Sequence, residues 1–278
     1  MSVSLVGMLC RTSDRTERAA RGVETLAPLV GERLGVEPRM IGSLGRPHSA
    51  RFDDDLRESR GCLLEAGGQV DDALDGGSVP VLLAGHCSVC VTTLPAALHR
   101  RPDGRVLWLD AHGDYNTPET TGSGFLGGMC LAGACGEWEV GLSEPIPSER
   151  VVLAGVRDLD PGERELLERS EATVIGASAM ETLVAVKNAL DGAPVFIHLD
   201  FDVLDPQDFP AEVPAPGGLA PDKLYDLLEA VSEDCELLGL ETTAFEAPDD
   251  ERELAAAAET AMHVLEPLLD RLAADPSQ

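Results

Sequence analysis

Residues 106–116 read VLWLDAHGDYN. Val106, Leu107, Trp108 and Leu109 form an apolar run without polar alternation, the pattern of a buried β-strand, and the run stops at Asp110, His112 and Asp114. In an open parallel sheet, ligands sit beyond the carboxyl ends of the strands. The stretch therefore predicts a fold class and, at its polar end, a place for a site.

Outward from it, short β-rich runs alternate with longer amphipathic ones. The strands expected are 3–9, 39–41, 79–84, 106–109, 151–154, 173–175, 195–199 and 237–242, with helices between them such as 53–74, 221–232 and 251–273. Alternation of this kind gives right-handed crossovers and a parallel sheet covered on both faces. The acidic tracts FDDDL and PDDERE suit helix starts, where negative charge complements the dipole. No repeat, low-complexity segment or linker divides residues 1–278, which read as one α/β domain.

Polar clusters follow the ends of other strands as well. LLAGHCS follows strand 79–84, VRDLDPGE follows 151–154 and DFDVLDP follows 195–199. Any single Asp there could cap the next helix. With DAHGDYN they make four clusters on one rim of the sheet, which points to a shared site.

Composition narrows the chemistry. With 44% hydrophobic residues in 278, the chain can bury a sizeable core, while 50 acidic against 21 basic residues leave a formal charge of -29. That charge repels nucleic acid and anionic lipid and suits an enzyme of small molecules. The opening MSVSLVGMLC has no charged leader and too short an apolar run to span a membrane, so a cytoplasmic location is expected. Seven cysteines, an odd and scattered set, are expected as reduced thiols.

Asp110, His112, Asp114, Asp200 and Asp202 would repel one another if brought together, and buried carboxylates need cations. Divalent metals supply them economically. A mostly oxygen donor set with one histidine favours manganese or magnesium over structural zinc.

The ordered patterns D-A-H-x-D, N-T-P-x-T-T-x-S-G, R-D-x-D-P-G-E and D-x-D-V-L-D-P resemble the ureohydrolases, the arginase and agmatinase family, over residues 79–248. The resemblance implies an arginase-like eight-stranded parallel sheet with helices on both faces and two Mn2+ ions per chain. Carried over by position, Asp110 and Asp200 bridge the metals, Asp114 binds one ion, and His112 and Asp202 bind the other. Asp114 also relays a proton to the departing amine. In arginases, as opposed to agmatinases, Asn116 and Ser123 stand where the loop meets the α-carboxylate, and Asp160 and Glu163 where it reaches the α-amino group. Asp160 and Glu163 fit a helix start after Pro161 equally well, and Asp205 reads as a brace for its loop.

The chain departs from the family pattern at several places. Where the family shows G-G-D-H-S, register puts Cys87 at the metal-binding histidine and His86 at the aspartate; a shifted loop would make His86 the ligand instead. Gly127 replaces a histidine at the cleft mouth. Ala244 replaces a glutamate that pairs with the guanidinium, unless Glu246 reaches in through a shifted turn. These losses, and the cysteine, resemble the family's branch of hydroxyarginine amidinohydrolases, associated with D-cycloserine biosynthesis. Their substrate is a less basic hydroxyguanidine, and the products are L-ornithine and hydroxyurea.

The alternatives are an arginase or other guanidino-acid hydrolase releasing urea, and an inactive binding protein of the same fold. CSVC lacks a thioredoxin context, and GSGFLG follows no strand directly, so neither redox nor nucleotide chemistry is expected. His48, His99, His198 and His263 carry no motif, though His48 lies in a loop that could line the cleft. The expected partner is a small guanidino amino acid, with neither nucleic acid nor membrane, and association into a homo-oligomer is left open.

Overall fold

The structure is a computed structural model that describes residues 2–177 and 179–274. In chain order its elements are β1 (Ser2–Met8), α1 (Arg18–Leu34), β2 (Arg39–Ile41), α2 (Phe52–Asp75), β3 (Ser78–Leu83), α3 (Cys90–Arg100), β4 (Arg105–Leu109) and α4 (Cys130–Ala134), then β5 (Val151–Val156), α5 (Pro161–Arg169), β6 (Thr173–Gly176), α6 (Ala179–Leu190), β7 (Val195–Asp200), α7 (Pro221–Asp234), β8 (Leu237–Thr243) and α8 (Glu251–Ala273). The strands form one all-parallel sheet of eight in the order β2-β1-β3-β8-β7-β4-β5-β6.

Both faces of the sheet are covered, which explains the continuous apolar runs. On β4, Leu107 and Leu109 point into a layer built with α1, α7 and α8, while Val106 and Trp108 point into one built with α2, α3 and α4. All four side chains are fully buried. Acidic residues start helices as expected: Asp53, Asp54 and Asp55 occupy the first turn of α2, and Asp250 caps α8 by accepting from Arg252 N at 2.9 Å and Glu253 N at 3.1 Å.

Strand order positions the polar clusters. β8 inserts between β3 and β7, and β7 lies beside β4 with Leu199 level with Leu109. The carboxyl ends of β3, β8, β7, β4 and β5 are thus contiguous, and Asp200 emerges next to Asp110. β5 runs two residues past the expected end through a bulge at Gly155. Its φ of +96° suits only glycine, and a Cβ there would meet Val203 and the Asp110 carbonyl.

Helix α1 reaches the same rim. At Gly22 it lies so close to the turn after β8 that a Cβ would run into the Phe245 carbonyl oxygen. The loop after β7 is held from below by Arg157. Its guanidinium donates to the carbonyl oxygens of Gly155, Asp202, Val203, Leu204 and Ala215 at 2.8–3.2 Å. Asp205 closes the loop's base, accepting from the backbone of Gln207, Gly217 and Gly218, the bracing role read from the sequence.

The expectation of reduced thiols needs one correction. Cys10 and Cys62 form a disulfide with their Cα atoms 6.1 Å apart, because the end of β1 packs against α2; the other five cysteines are free. A separation of 52 residues gave no sign of it. Among the described residues, no helix is long and apolar enough to cross a membrane.

Candidate active site

At the sheet's rim the predicted groups converge. Asp110 accepts from Trp108 Nε1 at 3.1 Å and from the backbone of His112 at 2.7 Å. Asp202 reaches across from β7, taking the Ala111 N–H at 3.1 Å and facing His112 Nδ1 at 3.0 Å; the same nitrogen is 3.4 Å from Asp110 Oδ1. Asp200 accepts from the backbone of Asp202 at 2.7 Å and from the thiol of Cys87 at 2.8 Å. Asp114, held in the left-handed region at φ +49°, lies 3.5 Å from the Cys130 sulfur.

A buried polar column supports Cys87 from behind. Its sulfur is 3.1 Å from Thr243 Oγ1, which is 3.4 Å from His198 Nε2, and His198 Nδ1 meets Glu241 at 2.7 Å. Thr93 donates to the other Glu241 oxygen at 2.6 Å. His198 also stacks on Trp108, with ring centroids 3.5 Å apart, and is fully buried.

The electrostatics follow from burial. Desolvation, with the neighbouring Asp202, pushes Asp110 up to about 6, and burial with nearby carboxylates raises Asp114 and Asp200 well above the usual range. Burial also works against charge on Asp202, but His112 outweighs it and holds that carboxyl low. For His112, burial alone would lower the pKa; Asp110 and Asp202 instead raise it to about 12. Burial and the three aspartates raise the Cys87 thiol well above its ordinary value.

These residues fit divalent cations. Four buried carboxylates crowd together, and the guanidinium of Arg157, which feels Asp110 and Asp202, is spent on carbonyl oxygens. The donor atoms of Asp110, His112 and Asp202 all lie within 4.8 Å of one another, as do those of Cys87, Asp110 and His198. His112 Nε2 is buried without a partner while Nδ1 faces the carboxylates, the orientation of a ligand through Nδ1.

The cluster forms the floor of a cleft of about 220 Å³. Asn116, Ser123, Asp160 and Glu163 are in its wall. Asn116 Nδ2 donates to Asp160 Oδ2 at 3.1 Å, and Glu163 takes the Tyr115 N–H at 2.8 Å and the Asp160 N–H at 3.2 Å. Glu163 and Asp160 also form a capping box with Pro161 in the first turn of α5, so helix start and cleft wall coincide. Burial pushes Glu163 up to about 7 despite those backbone donors. His86, Cys87, Glu212 and Ala244 also belong to the lining. A larger hollow, about 440 Å³, is lined by Arg11, Arg18 and Arg21, but each of these guanidinium groups is already bonded within the protein.

Residues 51–268 match the model of the Arginase family. The chain belongs to that family. It is similar to an Nω-hydroxy-L-arginine amidinohydrolase of Streptomyces lavendulae, 36% identical with 99% of this chain and 100% of that one covered. An arginase of Bacillus caldovelox is 35% identical over 59% of this chain and 60% of its own. Among solved structures, the arginase of Bacillus cereus superposes with a TM-score of 0.83 at 25% identity, covering 97% of this chain and 98% of that one. As an arginase-family protein, the chain is a hydrolase of C–N bonds in amidines.

Other arginase-family expectations meet the geometry unevenly. Cys87, not His86, has its side chain among the aspartates; the His86 ring is turned to Glu212 at 3.2 Å and rests edge-on against Phe125. Glu246 is absent from the cleft wall: Oε2 accepts from Thr16 at 3.0 Å, Oε1 is buried without a partner, and the wall position belongs to Ala244. The substitution at Gly127 has a steric reason, since a Cβ there would stand 2.5 Å from the Phe125 ring. His48 lies outside the cleft, 3.2 Å from Glu58. Sequence reasoning passed over Phe125, Asp158, Glu212 and Val213, all in the wall. Glu212 and Val213 sit in a proline-rich loop with no periodicity, where only proximity to DFDVLDP hinted at a role.

Proposed function

We propose that the chain is a dimanganese amidinohydrolase that cleaves Nω-hydroxy-L-arginine to L-ornithine and hydroxyurea, adding one water across the bond between the guanidino carbon and the side-chain nitrogen. The observation that carries the substrate is Ala244 in the cleft wall, with Glu246 turned to Thr16. A cationic guanidinium buried there lacks the carboxylate expected at that position, and an uncompensated buried charge is costly. A hydroxyguanidine is less basic and enters neutral. Full-length similarity to a hydroxyarginine amidinohydrolase supports the same reading.

In this reading Cys87, Asp110, His112, Asp114, Asp200 and Asp202 would hold the two ions. When bound, the ions supply a water of lowered pKa and stabilise developing negative charge. The protein's own residues do the positioning. Asn116 and Ser123 take the α-carboxylate, and Asp160 and Glu163 take the α-amino group, fixing the substrate before reaction. Asp114 is placed to take the proton that the attacking water gives up and to pass it to the departing side-chain nitrogen, so that ornithine leaves as an amine.

Manganese-loaded protein offered hydroxyarginine, arginine and agmatine in parallel tests this. Hydroxyurea release should exceed urea release from arginine by at least about tenfold in kcat/KM, or about 1.4 kcal/mol, and agmatine should be poor because it leaves the head-group partners unpaired. Equal turnover of arginine would make the protein an arginase with an unusual metal-site residue.

A further inference from the structure

We propose that Glu212 receives the guanidine end of the substrate, supplying from the loop after β7 the acceptor that Ala244 lacks. The inference rests on the reading above that the cleft takes a guanidino amino acid. Of the acidic residues in the wall, Asp110, Asp114, Asp200 and Asp202 belong to the cluster on the floor, and Asp158, Asp160 and Glu163 belong to the segment after β5. Glu212 stands apart from both groups.

Its location follows from two hydrogen bonds. Glu212 Oε2 lies 3.2 Å from His86 Nε2, and Gly85, the residue before His86, accepts the Ala244 N–H on its carbonyl at 3.1 Å. Glu212 and Ala244 therefore both stand beside the Gly85–His86–Cys87 segment of the cleft wall. Among the described residues, nothing donates to Glu212 Oε1, and the side chain is 19% exposed, shielded yet reachable from the cleft. A free carboxylate oxygen there matches the N–H and O–H donors of a hydroxyguanidine, and a charge-assisted bond shielded from water is among the stronger polar contacts. Because the Glu212 charge is already offset by His86 at 3.2 Å and by Arg15 and Arg18 nearby, what it offers a ligand is an acceptor oxygen, which suits a neutral donor.

Glu212→Gln in the manganese-loaded enzyme tests the assignment, with ornithine as comparator because it carries the same head group and no guanidine. The expected result is a KM for hydroxyarginine raised at least about tenfold, with the inhibition constant of ornithine moving less than about twofold. Glu212→Asp, which keeps the charge on a shorter arm, should fall between. An unchanged hydroxyarginine KM overturns the proposal. A parallel rise in the ornithine constant also overturns it, since a merely structural loop residue would disturb both ligands. If wild-type protein cleaves arginine in preference to hydroxyarginine, the substrate reading fails while Glu212 is judged by the KM of arginine against the same ornithine constant. If it cleaves neither, calorimetric Kd values for hydroxyarginine and ornithine decide the matter in the same way.

Discussion

Cys87 faces three aspartates in a buried setting, and burial with those charges disfavours its thiolate. A sulfur must shed its proton before it binds a cation, so metal uptake through Cys87 releases that proton and tightens as pH rises. Manganese affinity measured by calorimetry should therefore climb by up to about tenfold per unit between about pH 6.5 and 8.5. Cys87→His, with a harder nitrogen that is easily deprotonated, should bind more tightly at the acid end and show a shallower slope. Identical slopes in the two proteins would remove Cys87 from the ligand set. Residues at this scale were legible where a strand's end announced them, as with Asp110, His112, Asp200 and Asp202. Register pointed to Cys87, but a loop shifted by one residue would have made His86 the ligand, and the sequence does not reveal loop conformation. The choice turns on a ring orientation set by Phe125 and Glu212, from two distant segments.

Helix α1 packs through Gly22 against the turn that carries Ala244 into the cleft wall. In an exposed helix, glycine to alanine gains about 1 kcal/mol of propensity. Here the new methyl would strike the Phe245 carbonyl in the turn that carries Ala244, and overpacking of this kind costs about 1–3 kcal/mol or more when backbone cannot give way. Gly22→Ala should lower Tm by a few degrees and reduce turnover. Gly61→Ala, on the exposed side of α2 with open space around the new Cβ, should raise Tm, so calorimetric scans of opposite sign are expected from one substitution type. A stabilised Gly22→Ala protein would refute the contact. The strands were readable to within a residue or two because sheet residues buried on both faces need apolar runs. The bulge at Gly155 and the fit at Gly22 were not readable, since each depends on a partner from another element.

At the scale of the whole molecule, a formal charge of -29 and a buried carboxylate cluster work in the same direction. Asp110 and Glu163, at about 6 and about 7 in the folded chain, titrate near 4 when unfolded. As pH rises through that window the unfolded chain releases protons that the folded chain still holds, so folding stability falls, and His112, raised to about 12 by Asp110 and Asp202, carries the fall on above about pH 7. Metal-free protein should melt at a lower temperature at about pH 8 than at about pH 5.5, and manganese should abolish the difference. High salt should remove only the share due to surface repulsion. A metal-free Tm that rises over this range would contradict the raised carboxyls. The composition made the acidic character legible, and the alternation of apolar runs with amphipathic ones the parallel-sheet class. Neither disclosed the strand order or the Cys10–Cys62 link, which are set by how distant segments pack. The loop after β7 has a consequence of another kind. Arg157 and Asp205 tie down its base, whereas across residues 210–214 the single side-chain hydrogen bond among the described residues is that between Glu212 and His86. A segment fastened at its root and loose at its tip is an exchangeable cassette. Over generations its tip can drift and acquire new preferences while the catalytic floor is inherited intact, which makes this loop the place where descendants of the protein would diverge first.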